Sequence, residues 1–270
     1  MALKLLNALP TAWLGILGVG LAVALAVGGL LVVRRIVPSS TLQVHNDVAG
    51  FIYAVLGVIY AVLVPFVLVI VWEEFRDALN DASGEAQTLI GLHQDAEQLA
   101  GTRGREIIAA EERYARAVID DEWPRLARGE ESPKVDEALA GLEKTIRGVD
   151  PRDPRQAILY SHLLDHVDEL ANRRESRVFD SQTGVPRIMW AVLVIAGAVV
   201  VGYTYLYGVE RLAAQCLMTA ALAAVIAMVL FVILAIDYPF TGDFRVQPDD
   251  LRHFLTHVAA APAATPTAAN

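Results

Sequence analysis

Cysteine is almost missing from this chain: Cys216 is the only one in 270 residues. One thiol can form neither an intrachain disulfide nor a cysteine metal cluster, and within an apolar run it reads as a small packing residue. Charge is scarce as well. Asp, Glu, Lys and Arg make up 20 % of the residues, against 55 % hydrophobic, and mean hydropathy is +0.43. Soluble domains carry about 25 % charged and roughly 45–50 % apolar residues, so an ordinary soluble enzyme is excluded. The sequence also lacks a P-loop, a GxSxG elbow, a GxGxxG turn and an HExxH pair, the spacings that announce phosphate, acyl, dinucleotide or zinc chemistry. With a net charge of −9 it has no basic footprint for nucleic acid. No enzyme, cofactor or nucleic-acid partner is expected.

What the chain does hold is four uncharged apolar runs, at 12–33, 50–72, 188–209 and 212–236, of 22, 23, 22 and 25 residues. Crossing the hydrocarbon core takes roughly 20 apolar residues in a helix, so each qualifies as a span. The first has Lys4 ahead of it and Ala24-Leu25-Ala26 within it, which imitates a signal peptide. It continues to Val33, past the roughly 7–15 residues of a signal core, and reads as a retained anchor.

Between spans two and three the text changes. Residues 73–187 carry 25 acidic and 16 basic residues, so the whole net charge of −9 resides there. Helix formers run from span two to Ala100, and Gly101 to Gly104 interrupt them. A polar helix follows over 105–126, closed by Trp123-Pro124 and Gly129. Ser132 with Pro133 opens a helix to about 147. Asp153 with Pro154 and Gln156 forms a capping box that opens another, to about Ser181. No window alternates as a strand would. The expected fold class is all-α: four transmembrane helices with an all-helical cytosolic insert between the second and third. The expected domains are a lead and spans one and two (1–72), an acidic helical domain (73–187), a hairpin of spans three and four (188–236) and a tail (237–270). The lead over residues 1–11 is amphipathic, and the tail is disordered from about 259, where Ala, Pro and Thr dominate.

Basic residues near the span ends set orientation. Lys4, Arg76, Arg173, Arg174, Arg177, Arg187, Arg245 and Arg252 fall on one side, eight against the three (Arg34, Arg35, Arg211) on the other. That puts both termini and the insert in the cytosol, although Arg34-Arg35 directly after span one pulls the opposite way.

Span two carries the most information. Gly50, Ala54, Gly57, Ala61 and Pro65 make a small-residue stripe, which permits close helix approach or lines a narrow passage. Tyr53 and Tyr60 lie near it, and Pro65 predicts a kink with a freed carbonyl near Ala61. The pore-lining candidates are Tyr53, Gly57, Tyr60, Ala61, Val64, Pro65 and Phe66, with Val64, Pro65 and Phe66 as a dry constriction; ordinary helix packing is the bland alternative. At the cytosolic mouth topology gathers Glu73, Glu74, Arg187 and Asp237. Arg187 and Asp237 are placed to close the hairpin as an ion pair, and the glutamates, repeated around an axis, would attract cations. His162 with His166 has metal-ligand spacing but lacks a third ligand, so a solvated helix face is expected and no metal. Asp120, Asp121 and Glu122 read as surface charges.

The runs VIYAVLVPFVLVIVWEEF (58–75), EWP (122–124) and IDYPFTG (236–242) resemble a bacterial membrane family classed as bestrophin-like. Two spans, a helical insert and two more spans fit it over roughly residues 10–257. The distant similarity to bestrophins implies a homopentameric chloride channel of the bacterial inner (plasma) membrane, with cytosolic termini and a pore lined by span two; its partners would be the lipid bilayer, further copies of the chain and small inorganic ions. Two features depart from an anion channel: the acidic insert with Glu73-Glu74 at its edge, and only Phe51 and Phe66 as phenylalanines in span two. A non-conducting scaffold or signalling protein working through the acidic domain is the competing reading. A hydrolytic enzyme using His162 or His166 is a distant third.

Overall fold

In a computed structural model, residues 10–43, 45–99 and 101–260 are described. The expected amphipathic lead with Lys4 and the far end of the expected disordered tail lie outside them. Among the described residues every regular element is helical: α1 (Thr11–Ile36), α2 (Ser39–Gln43), α3 (Asn46–Gln98), α4 (Thr102–Ala117), a π-helical turn (Val118–Glu122), α5 (Trp123–Leu126), α6 (Pro133–Arg147), α7 (Pro154–Gln182), α8 (Arg187–Tyr203), a 3-10 turn (Thr204–Leu206), α9 (Leu212–Ile236) and α10 (Asp249–Ala260). Four stretches are long and apolar enough to cross a membrane: α1, the apolar part of α3, the stretch ending in α8, and α9. The chain packs as two compact units. One takes the residues up to Phe75 with Gly184–Tyr238 and Gly242–Phe244; the other takes Arg76–Thr183, Pro239–Thr241 and the residues from Arg245 onward.

In the first, apolar unit, α1 packs lengthwise on α9. Ala26 of α1, Val201 of α8 and Ala223 of α9 make one small-residue core, with Val23, Tyr205, Leu222 and Ile226 around it. Val67 and Val71 of α3, Val185, Leu193 of α8 and Ile233 of α9 make a second core, of larger branched side chains. The small side chains Ala26 and Ala223 bring the backbones of α1 and α9 close, and close packing holds helices together where lipid removes most of the hydrophobic drive. The α8–α9 link is longer than the two residues expected from the hydropathy pattern: α8 stops at Tyr203, and eight residues reach Leu212. A polar knot satisfies their backbone. Arg34 donates to Gln215 Oε1 at 2.7 Å and to the Val209 carbonyl, Gln215 Nε2 donates to the Thr204 and Tyr207 carbonyls, and Asn46 pairs reciprocally with the Gly208 backbone. Arg34 therefore has a structural task, which explains a basic residue on the side where the charge count puts few. The α1–α3 loop is also tighter than expected, since α2 occupies it. A Cβ on Gly208 would stand 2.6 Å from the Ser39 carbonyl oxygen of that turn, so no other residue fits there without moving backbone.

The second, acidic unit is built on seams. Ala78, Ala82, Glu85, Leu89, Leu92 and Ala96 of α3 recur every three or four residues and are all buried. The Asp153 cap is formed, with its Oδ1 accepting from the Gln156 N–H at 2.8 Å, while Gln156 Oε1 accepts from the Arg152 N–H at 3.0 Å. Ser132, by contrast, does not cap α6 with its side chain; its hydroxyl donates to Asp121. That bond and the Lys134 ammonium lower the Asp121 pKa to about 2.

Glu122 is not a surface charge: it is fully buried. The π-helical turn that it ends is a one-turn widening of the helix, and it leaves both Glu122 and Trp123 buried. Glu122 receives Arg174 Nη2 at 2.7 Å and Arg177 Nη2 at 2.7 Å. Arg177, also fully buried, donates its Nε to Glu85 Oε2 at 2.6 Å, and Tyr114 donates to Glu85 Oε1 at 2.7 Å. The guanidinium carbon lies 5.0 Å from the Trp123 ring centroid, within cation–π range. Burial alone would raise the Glu122 pKa, but the Arg174 hydrogen bonds and the Arg177 charge hold it below the usual carboxylate value.

Removing one member of a buried charge network costs about 3–5 kcal/mol because its partner stays buried and uncompensated. Arg177→Met, which strands Glu85 beside Tyr114, should destabilise the protein by that amount in detergent-solubilised thermal or denaturant unfolding. Adding Glu85→Gln should recover part of the loss. Equal stability of wild type and Arg177→Met would show that the network contributes nothing. The depressed Glu122 value also fixes a pH trend: its contribution is intact above the ordinary value of 4.5 and is lost as pH falls through the lower folded value.

Candidate functional site

Successive residues of an α-helix point about 100° apart, and that rule sorts span two. Tyr60, Val67 and Val71 are its buried residues over the apolar stretch beyond Ala49, and Tyr53, seven residues before Tyr60, falls on the same line. The small-residue stripe of Ala54, Gly57, Ala61 and Pro65 lies roughly a quarter turn away, with Ala54, Ala61 and Pro65 exposed and Gly57 half-buried. On Gly57 an added Cβ would meet nothing within 4 Å. The helix runs through Pro65 unbroken.

The candidates therefore divide. Tyr53 stacks on Tyr203 (centroids 6.1 Å apart) and meets Tyr207 edge-on at 5.9 Å. Tyr60 is buried against α8, its hydroxyl 3.0 Å from where a Cβ on Gly197 would sit; that hydroxyl has no hydrogen-bond partner among the described residues. Val64 is half-buried beside the Val67–Val71 core. Pro65 is exposed, and Phe66, 68 % exposed, points away from the unit. Three consecutive residues cannot share one direction on a helix, so Val64, Pro65 and Phe66 diverge. Pro65 and Phe66, about 100° apart, flank the outward surface with Ala61 at its edge, while Gly57, half-buried and half a turn round from Phe66, lies off it.

The charged end resolves differently from the sequence expectation. Asp237 ends α9 and is 2 % exposed. It accepts from the Val185 N–H at 2.7 Å and from the Trp190 indole at 3.2 Å. The Arg187–Asp237 pair expected to close the hairpin is not formed. Asp237 instead satisfies an orphan donor just ahead of α8, a stronger demand in a buried corner than pairing with an arginine that can reach water. Glu73 and Glu74 are exposed and enter no ion pair among the described residues. At the start of α1, Asp243 accepts from the Thr11 N–H at 2.7 Å, which places a carboxylate at a helix N-terminus.

Outside span two, the motifs of the second unit find one another. Trp123 of EWP donates its indole N–H to the Val246 carbonyl at 3.1 Å and meets Phe240 edge-on, with centroids 5.7 Å apart. Thr241 donates to the Ala127 carbonyl at 3.2 Å. These are structural clasps. His162 and His166 both turn to Asp95, at 3.7 and 3.5 Å from Oδ2. Among the described residues no group of three or more His, Cys, Asp or Glu side chains is arranged to hold a metal ion.

Comparison with known proteins points one way. Residues 20–251 match the bestrophin-like domain family. No protein with a curated description matches. Among solved structures, a membrane protein crystallised with an alanine substitution superposes with a TM-score of 0.67 at 12 % identity, covering 89 % of this chain and 97 % of that one. Two variants of a bacterial bestrophin homologue from Klebsiella pneumoniae, each with one threonine substitution, give TM-scores of 0.65 and 0.64 at 14 % identity; each covers 89 % of this chain, and 97 % and 99 % of theirs. At such identity the likeness is one of fold, and with four apolar helices long enough to span and a family match over most of its length, the chain belongs to the bestrophin-like family of membrane proteins.

Proposed function

We propose that this chain assembles with copies of itself into an ion channel of the bacterial inner membrane, with span two on the conduction axis. One observation carries the reading. The outward surface of span two is flanked by Pro65 and bulky apolar Phe66, with the small residue Ala61 at its edge, and all three are exposed in the chain. Small residues let identical helices approach an axis, and an apolar ring at a narrow point impedes ions by dewetting. Pro65 and Phe66, with Ala61 at their edge, are the lining residues of this reading, and Gly57 lies toward the packed side of the helix. Tyr53, Tyr60 and Val64 support the helix from behind. Membership of the bestrophin-like family, and the naming of similar folds as bestrophin homologues, support a channel over a scaffold.

The mouth sets the selectivity. Glu73 and Glu74, one to two turns beyond the dry zone and free of partner cations, repeat once per subunit around the axis. Carboxylate rings attract cations, so the pore favours cations over chloride. The acidic unit and both termini face the cytosol, as the distribution of basic residues supports. In this reading the chain divides into spans one and two (1–72), the acidic domain (73–187), the hairpin of spans three and four (188–236) and the tail (237–270).

Purified protein in planar bilayers tests this. Phe66→Ala should raise conductance severalfold by removing bulk from the dry zone, whereas Tyr60→Phe should leave conductance near wild type. No current under any ionic gradient would leave the scaffold reading in place.

Under a salt gradient, Glu73→Gln with Glu74→Gln should move the reversal potential toward that of anions. The shift should be larger at low ionic strength, where exposed charges are least screened. A reversal potential indifferent to both changes would remove the glutamates from the pathway.

A further inference from the structure

Glu111 sits on the buried line of α4 between Ile107 and Tyr114 and is itself fully buried. Its Oε2 meets His93 Nδ1 at 2.9 Å, while Oε1 has no hydrogen-bond partner among the described residues. A carboxylate with an orphaned oxygen is costly to keep ionised away from water, so its compensation rests on one imidazole. That imidazole lies under the C-terminal helix. The Phe254 ring of α10, 1 % exposed, stands edge-on to His93 with centroids 5.9 Å apart.

The other groups around His93 are accounted for. Glu97 on its own helix lies 3.8 Å from Nε2, and Glu112 adds negative charge from α4. From α10 it is the phenyl ring that faces His93: His253 and His257 are exposed, and Asp250 receives the Ser83 hydroxyl. From α7, His162 and His166 turn to Asp95 instead. Acidic groups surround His93, and Phe254 closes it off from α10.

We infer that the His93–Glu111 pair is a pH-dependent latch that seats α10 on the helical unit while the imidazole is protonated and lets α10 lift when it is neutral. The hydrogen bond from Glu111 raises the His93 pKa; burial opposes it, and the charges of Glu111, Glu97 and Glu112 reinforce it. Burial raises the Glu111 pKa, against the lowering by His93. The stabilisation from His93 is therefore complete below its ordinary value of 6.5 and is lost as pH rises through the higher folded value. Above that point Glu111 has no cation beside it, and the Phe254 contact through which α10 rests on the imidazole loses its charged partner.

Hydrogen exchange of the α10 amides in the full-length protein, held in lipid nanodiscs from pH 6 to 9, reads the latch directly. After correction for base-catalysed exchange, wild-type protection should fall with rising pH, by up to about tenfold per unit for one linked proton. His93→Gln and Glu111→Gln should each flatten the dependence. The double variant His253→Gln and His257→Gln, with exposed side chains, should keep the wild-type slope. The latch is refuted by flat wild-type protection, by a slope that survives in both His93→Gln and Glu111→Gln, or by one that disappears with His253 and His257.

Discussion

Arg177 is the hinge of the acidic unit. A guanidinium cannot give up its proton in a protein, so burying it forces the neighbourhood to supply carboxylates in hydrogen-bonding geometry. Glu85 from α3 and Glu122 from the π-helical turn do so, and Tyr114 from α4 satisfies one further oxygen. Four segments are thus committed to one register by a single side chain. Arg174 extends the arrangement to Asp136 on α6 at 2.7 Å. Whether such a network adds net stability over a packed apolar core depends on context, but losing any one member is costly, and that is how it specifies one arrangement of helices.

The same device recurs. Glu111 occupies an apolar line and is answered by His93, as Glu85 is answered by Arg177. The difference lies in the cation. Arginine is permanently charged, so Arg177 keeps its charge at any pH near neutrality. Histidine titrates, so the pair under α10 responds to pH. In the apolar unit the logic inverts: small residues at the helix crossings, and polar groups only where the α8–α9 link needs its backbone satisfied by Arg34, Gln215 and Asn46.

Much of the architecture was legible in advance. Uncharged runs of spanning length, the Asp153 capping box and the glycine breaks, Gly101 and Gly129 both with positive φ, are local signals, and local signals survive into the fold. The buried ion network was missed because a glutamate beside two other acids looks like a solvated face. The available sign was periodicity: Glu85 falls in step with Ala78, Ala82, Leu89 and Leu92, and Arg174 with Leu163, Val167 and Leu170. A charge in phase with an apolar seam is a buried charge awaiting its partner. The π-helical turn left no comparable trace, and without it Glu122 would not have been brought inward. In span two the stripe was visible, but which side of the helix met α8 was a tertiary fact. From the sequence Tyr53 and Tyr60 read as pore candidates, and in the fold they lie on the buried line of the helix.

The account of span two depends on its outward surface meeting other copies of the chain around an axis. The mass of the assembly extracted with its lipids, measured by native mass spectrometry, tests that most directly. The expected result is an integral multiple of the 29.2 kDa chain, five copies if the family resemblance extends to assembly. A species of one chain at concentrations where the protein remains folded would contradict it, leaving span two to face lipid.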